Sequence, residues 1–427
     1  MNYKRFLGAA SGALLIVIVI FILAPGASAQ SKYKTLHAFH GKDGAVPAGT
    51  LIFDAAGNIY GTTVGGGNPN CSGGCGTAYE LTPNANGTWT HKVIHRFTPA
   101  DLGPNAGVTF DATGNLYGMT DQGPTAGNVY ELMPQAGGGW SYKSLYEMGG
   151  AYDGNPQGGM VFDAAGNLYG TSAWGCGYGD GVSCVFQMTP SGSTWTFNLL
   201  YGFDFAGSAG WYPSGTTPIF DAKGNLYATT AFGGNSGCSP YGNGCYGLGV
   251  VFELTPSGTG TWTEQVLYAF TGGKDGESPA CPLVFDSAGN LYGITYAGGA
   301  YGKGNVFKLT PNADGTWTLS VLHQFTGGKD GSMPLGGLIF DTAGNLYSTT
   351  NQGGAYGYGV VFKLTPTSTG GWKETVLHAF HDSPGAYPGG GPNVAGGTLV
   401  FDGSGNLYGT TEGDGTKTFG TVFEITP

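Results

Sequence analysis

Three groups of residues in this chain have the types and spacing to do chemistry. Aspartates recur: the pattern Phe-Asp-x-x-Gly-Asn-(Leu/Ile)-Tyr starts at Phe53, Phe110, Phe162, Phe220, Phe285, Phe340 and Phe401. It places Asp54, Asp111, Asp163, Asp221, Asp286, Asp341 and Asp402 at equivalent positions. A second pattern, Gly-x-Asp-Gly-x-x-Pro, carries Asp43, Asp275 and Asp330, with Asp153 in a looser form. Cysteines come as close pairs, Cys71/Cys75, Cys176/Cys184 and Cys238/Cys245, with Cys281 left over. The third group is aromatic: Trp174, Tyr178, Trp211, Tyr212, Tyr241 and Tyr246 stand outside the repeated positions, in glycine-rich stretches.

Each group supports more than one chemistry. An aspartate flanked by backbone carbonyls can hold Ca²⁺, so Asp43, Asp153, Asp275 and Asp330 are the candidate metal ligands. One carboxylate per loop is few for such a site, and an Asp-Gly turn explains the same spacing. The Asp of the seven-fold pattern reads as a hairpin turn, because a feature present in every copy serves the fold. Close cysteine pairs in an exported chain read as local disulfides. Zinc is the alternative, but three pairs in separate repeats do not make one four-ligand site. His37, His95, His323 and His378 share a strand position with Tyr146, Tyr201 and Tyr268, which points to packing rather than a metal cluster. Aromatic rings held by short disulfide loops suit stacking against sugar rings, or else pack against one another over the glycine-rich loops. No G-x-S-x-G elbow, no H-E-x-x-H helix and no convincing nucleophile–base pair occurs.

The elements that must position these groups are short strands. Within 337–380, the apolar run Gly337 to Phe340 leads into the turn Asp341 to Asn345. A return strand from Leu346 follows, then a third strand ending at Pro366 and a fourth from Trp372 to Phe380. Gly closes such a turn in the left-handed conformation, and Pro stops a strand by removing a donor. Apolar residues on both faces of the strands fit a sheet covered on each side. The starts of the seven copies are 52 to 65 residues apart. The last copy stops after its third strand at Pro427, and Tyr33 to Phe39 matches the missing fourth. The chain therefore predicts an all-β, seven-bladed β-propeller of four-stranded antiparallel blades, spanning residues 30–427. The N-terminal strand 33–39 closes the ring on the last blade, 398–427.

Residues 1–29 read as a signal peptide: Lys4 and Arg5, an apolar run from Leu14 to Ala24, then Ala27-Ser28-Ala29, with cleavage expected after Ala29. An uncleaved anchor is the competing reading. With 10% charged residues and a formal net charge of −11, the chain lacks the basic stripe that nucleic acid or an anionic membrane would require. Glycine supplies 84 residues, yet aromatics make up 13%, which separates this composition from a disordered chain.

The Phe-Asp-x-x-Gly-Asn-Leu-Tyr-Gly-Thr-Thr, Val-Phe-x-Leu-Thr-Pro and Leu-His-x-Phe landmarks resemble the GloVer tandem repeats of exported bacterial proteins. They are more distantly similar to NHL-type propeller blades. The resemblance covers essentially 33–427 and implies the propeller, but it brings no activity or site residue. Family members often carry a C-terminal sorting segment; the chain shows none, so a freely periplasmic or extracellular monomer is expected. Two functions follow. One is a non-catalytic binding or scaffold propeller, recognising a glycan, a cell-surface polymer or a protein through the long loops of blades three and four. The other is an enzyme in the central mouth, a metal-dependent lactonase or hydrolase or a polysaccharide lyase.

Overall fold

The computed structural model describes residues 31–121, 127–148, 156–173, 183–203, 209–213, 215–234, 247–258, 260–381, 397–413 and 419–427. The expected signal peptide, 1–29, lies outside them. All regular structure among the described residues is strand and turn: seven antiparallel sheets of four main strands, one of them with an added edge segment at Ser332–Pro334, and a separate two-stranded pair of Gly210–Trp211 with Phe232–Gly233. The chain is a seven-bladed β-propeller. Blade six shows the unit: Ile339–Phe340, Leu346–Gln352, Val360–Pro366 and Trp372–Ala379, in sequential order. The seventh sheet takes its fourth strand from the N-terminus. Lys32–Ala38 pairs antiparallel with Thr421–Thr426, running from Lys32 opposite Thr426 to Ala38 opposite Thr421.

The turn between first and second strands builds itself from local donors. Asp341 Oδ1 accepts the backbone N–H groups of Ala343 (2.9 Å) and Asn345 (2.8 Å). Its Oδ2 accepts Asn345 Nδ2 (2.6 Å) and the Tyr347 hydroxyl (2.9 Å). The same carboxylate–Asn–Tyr set recurs at Asp54, Asp111, Asp163, Asp221, Asp286 and Asp402. A carboxylate with that many donors is saturated, which holds Asp111, Asp163, Asp286, Asp341 and Asp402 below the usual carboxylate range against the opposing cost of their burial.

Each turn's tyrosine then reaches across to the next blade. Tyr292 of blade five meets Phe340 edge-on at 5.0 Å and Trp372 at 6.5 Å, both from blade six. The Tyr–Phe contact repeats at all seven interfaces, including Tyr408 with Phe53 across the seam between blades seven and one. A second ring joins the residue closing each fourth strand, phenylalanine in six blades and Met148 in blade two, to an aromatic on the next blade's third strand, as in Phe325–Phe362 (5.2 Å), Phe39–Tyr79 (5.1 Å) and Met148 beside Phe186. The core is accordingly divided into seven clusters, each shared by two adjacent blades, with none inside a single blade.

Two copies depart from this pattern in a way that costs stability. The third-strand aromatic is phenylalanine in blades three to seven, but tyrosine at Tyr79 and Tyr130. Both rings are 0% exposed, and both hydroxyls lack a hydrogen-bond partner among the described residues. A buried, unpaired hydroxyl costs about 1–3 kcal/mol. Tyr130→Phe is therefore expected to raise the unfolding free energy by roughly 1 kcal/mol or more in a denaturant titration. Unchanged or lowered stability would show that the hydroxyl is satisfied.

Candidate functional site

The crossings between blades carry most of the residues singled out in the sequence. Asp43, Asp275 and Asp330 each cap the backbone where the chain leaves a fourth strand. Asp330 Oδ2 accepts the Thr326 N–H (2.7 Å) and Oδ1 the Thr326 hydroxyl (2.6 Å); Asp275 does the same with Thr271, and Asp43 Oδ1 accepts the His40 N–H (2.7 Å). Each also lies against the fourth-strand His or Tyr: Asp43 Oδ2 is 2.9 Å from His37 Nε2, Asp275 accepts the Tyr268 hydroxyl (3.1 Å), and Asp330 is 3.8 Å from His323. Asp101, which the sequence pattern missed, plays the same part with Thr98 (2.7 Å) and His95 (3.9 Å). Its signal was an Asp four residues past the closing Phe97, the offset of Asp43 from Phe39. The three metal candidates sit in three different crossings, and Asp153 lies outside the described residues.

The proline of the crossing motif has a partner that sequence could not supply. Val46, Tyr212, Ser278 and Met333 each precede a proline and adopt left-handed φ values of 57°, 64°, 53° and 53°. Such a conformation costs non-glycine residues free energy and persists only where the surroundings enforce it. The N–H groups of Val46, Ser278 and Met333 donate to Phe419, Leu248 and Lys303 of the preceding blade, at 2.8–2.9 Å. The next residue, proline, then packs on the glycine that opens the preceding blade's third strand. A Cβ at Gly304 would lie 2.7 Å from Pro334 Cδ and 2.3 Å from Thr295 O, so only glycine fits. The motif is a latch between blades.

The fourth-strand His and Tyr positions do not come together. Four of them instead stack on the next blade's fourth strand: His95 on Tyr142 (4.6 Å), Tyr146 on Phe197 (4.5 Å), His378 on Tyr33 (4.1 Å) and His37 on His91 (4.0 Å). At the interface of blades three and four, Glu264 takes the ring's place and accepts the Tyr201 hydroxyl at 3.3 Å. His37, Asp43 and His91 form the one described group of three metal-competent side chains, with donor atoms within 4.8 Å of one another.

Cys71 and Cys75 form a disulfide, and buried Cys184 is disulfide-bonded. Cys176, Cys238 and Cys245 lie outside the described residues. Cys281 is a buried free thiol beside the ring axis; it donates to Leu335 O of the next blade (2.8 Å), and burial pushes its pKa far up. Of the aromatic patch, Trp174, Tyr178, Tyr241 and Tyr246 lie outside the described residues. Trp211 is only 7% exposed; its strand pairs with Phe232, and its ring packs against Tyr212 and Phe232. The described part of this patch is packed on itself.

Around the axis, the leads into the first strands touch backbone to backbone. A Cβ at Gly49 would lie 2.0 Å from Gly107 N, and one at Gly158 2.0 Å from Thr216 O. Threonines tie these leads together: Thr398 N–H donates to Thr50 Oγ1 (3.2 Å) and Gly159 N–H to Thr217 Oγ1 (3.1 Å). The space there is an open cavity of about 260 Å³, lined by glycine, threonine, alanine, proline and apolar side chains.

The loop face presents a different chemistry. Tyr301 and Tyr356 are the exposed large hydrophobic residues of the described chain, at 60% and 62%. They occupy the same place, Gly-Gly-Ala-Tyr-Gly, in the second-to-third-strand loops of blades five and six. Each loop is docked on its own blade's crossing by an equivalent hydrogen bond, Gly299 N–H to Gly273 O (2.9 Å) and Gly354 N–H to Gly328 O (2.8 Å). The crossings carry exposed Lys274 and Lys329 beside those contacts, and blade one repeats the docking with Gly67, Gly41 and exposed Lys42. Beside blade one, His40, Lys42, Arg96 and Phe419 line a cleft of about 670 Å³. The repeated Gly-Gly-Ala-Tyr-Gly was the available signal for Tyr301 and Tyr356.

These features define a β-propeller with an axis lined by small residues and a loop face built on latched crossings. The chain belongs to the Gloeobacter/Verrucomicrobia repeat family, whose pattern matches residues 70–240 and 184–401. No protein of curated function matches it in sequence. Solved structures with a similar course include the PQQ-bound aldose sugar dehydrogenase of Streptomyces coelicolor, at 13% identity, 93% of this chain, 98% of that one and a TM-score of 0.44. A luciferin-regenerating enzyme follows at 13%, 93%, 95% and 0.43. A gluconolactonase of Xanthomonas campestris matches at 14%, 74%, 86% and 0.40. Likeness at this level says nothing of substrate or activity. Among the described residues no helix is long and apolar enough to cross a membrane.

One carboxylate at a blade interface is poised to report on pH. Glu374 stands on the fourth strand of blade six, its Oε1 buried and without a partner among the described residues. Burial holds its pKa up at about 7, with the charge of Asp330 adding to the effect. A raised carboxyl contributes stability that is full below its ordinary value near 4.5 and is lost as pH rises through about 7. Glu374→Gln, which does not titrate, is expected to gain melting temperature relative to the wild type between pH 4.5 and 8. Parallel Tm–pH curves would contradict this assignment.

Proposed function

We propose that this protein is an exported, non-catalytic binding propeller that engages an acidic glycan or similar cell-surface polymer on the loop face of blades five and six. The observation that carries the reading is the pair Tyr301 and Tyr356, exposed at equivalent places on adjacent blades, each beside a crossing with an exposed lysine. Tyrosine rings are rigid and amphipathic, and they stack on the apolar faces of sugar rings at little entropic cost. Lys274 and Lys329 supply charge for carboxylate, sulfate or phosphate groups of a polymer, where a net-negative chain would otherwise repel it. Repetition from blade to blade suits a repeating ligand, since two weak stations on one rigid scaffold reinforce each other.

The axis supports the same reading. A hydrolase or lyase in the mouth needs groups that move protons or hold a metal, and the described residues lining the axis offer hydroxyls, backbone and apolar surface. The signal-like leader and the disulfides support export to an oxidising compartment. Nucleic acid is disfavoured as a partner by the acidic balance.

The test is glycan-array or calorimetric binding of the mature protein to soluble neutral and acidic polysaccharides. The wild type is expected to prefer acidic chains, and Tyr301→Ala/Tyr356→Ala to lose about tenfold or more in affinity, roughly 1.4 kcal/mol. Raised salt should weaken binding further in proportion to the lysine contacts. A ligand whose affinity the double variant leaves intact would move the site elsewhere on the ring.

A further inference from the structure

The cluster at the seam of the ring has a chemistry that the fold does not require. His37 and Asp43 belong to the N-terminal strand and its crossing, which close blade seven; His91 belongs to the fourth strand of blade one. Elsewhere on this outer ring the stacked partners include phenylalanine, tyrosine and glutamate, so packing does not call for two imidazoles. Asp43 Oδ2 lies 2.9 Å from His37 Nε2 and 3.8 Å from Nδ1 of exposed His40. His91 Nε2 is buried and has no hydrogen-bond partner among the described residues. What sets it apart from the unpartnered nitrogens of His95 and His323 is that it stands within reach of both another imidazole and a carboxylate.

We propose that His37, Asp43 and His91, joined by His40, bind a divalent transition ion of the zinc–nickel–copper class, which clips the N-terminal strand to blade one. Two or three imidazoles and one carboxylate are a donor set for such ions rather than for calcium. The donor atoms already lie within 4.8 Å of one another. Bonds of about 2.0–2.2 Å require them to close to roughly 3.3 Å. His37 and His91 are parallel to within 5°, so their in-plane lone pairs do not converge. Binding therefore turns His91 out of the stack, and His40, on the exposed crossing, swings in from the rim of the neighbouring cleft.

The test titrates tag-free mature protein with ZnCl₂ and NiCl₂ by calorimetry and follows the melting temperature. One ion per chain and a Tm rise of a few degrees at saturation are expected. His91→Phe keeps an aromatic stack, as Phe197 does two blades on, so the ring should fold while affinity falls about tenfold or more. Asp43→Asn should weaken binding similarly. Absence of binding by the wild type at millimolar metal would overturn the proposal. So would a His91→Phe variant that binds and is stabilised like the wild type.

Discussion

Everything in this molecule depends on one shared contact, the tyrosine that ends each Phe-Asp-x-x-Gly-Asn-Leu-Tyr unit. Its hydroxyl is held by the turn aspartate of its own blade, and its ring meets a phenylalanine of the next. The hydrogen bond sets the ring's position; the neighbouring blade buries it. A blade alone has no core, because each apolar cluster is shared with a neighbour. Such units gain little until a partner covers them, and a ring is the arrangement that leaves none uncovered. The seam obeys the same rule, with Tyr408 against Phe53 and Phe39 against Tyr79.

Legibility in the sequence followed the range of the interactions. The turn aspartate bonds groups two, four and six residues away, so its role could be read from spacing alone. Ring closure was legible because the last copy lacks the strand that the first residues supply. The crossing motif was only half legible. Its aspartate caps local backbone, but its proline packs on a glycine of the preceding blade, and its pre-proline residue is strained for the sake of that contact. Whether an aromatic residue is ligand-facing or structural was not legible at all. Trp211 could be read either as ligand-facing or as packed, and it is packed, whereas Tyr301 and Tyr356 were not singled out in the sequence and are exposed. Exposure is a tertiary property, and two rings of similar composition differ in it only through what the neighbouring loop covers. The partners His37 and His91 are likewise brought together by closure, not by spacing.

The division of labour between the two faces follows from the same architecture. On one face, the short turns are saturated by their own aspartates and have few groups to offer. On the other, latched crossings hold glycine loops at fixed height and vary in what they display: lysine and tyrosine on blades five and six, histidines and a disulfide near blade one. A rigid scaffold with variable loops is where recognition is usually found. Strain at Val46, Ser278 and Met333 is confined to this face, where the latches set the spacing between stations.

Seven blades without private cores should behave as one cooperative unit closed through the N-terminal strand. Differential scanning calorimetry of the mature protein tests it most directly. A single transition with equal calorimetric and van 't Hoff enthalpies is predicted, unusual for a chain of this length. Two or more separable transitions, or a calorimetric enthalpy well above the van 't Hoff value, would mean that groups of blades fold independently and that the shared contacts do not govern the ring.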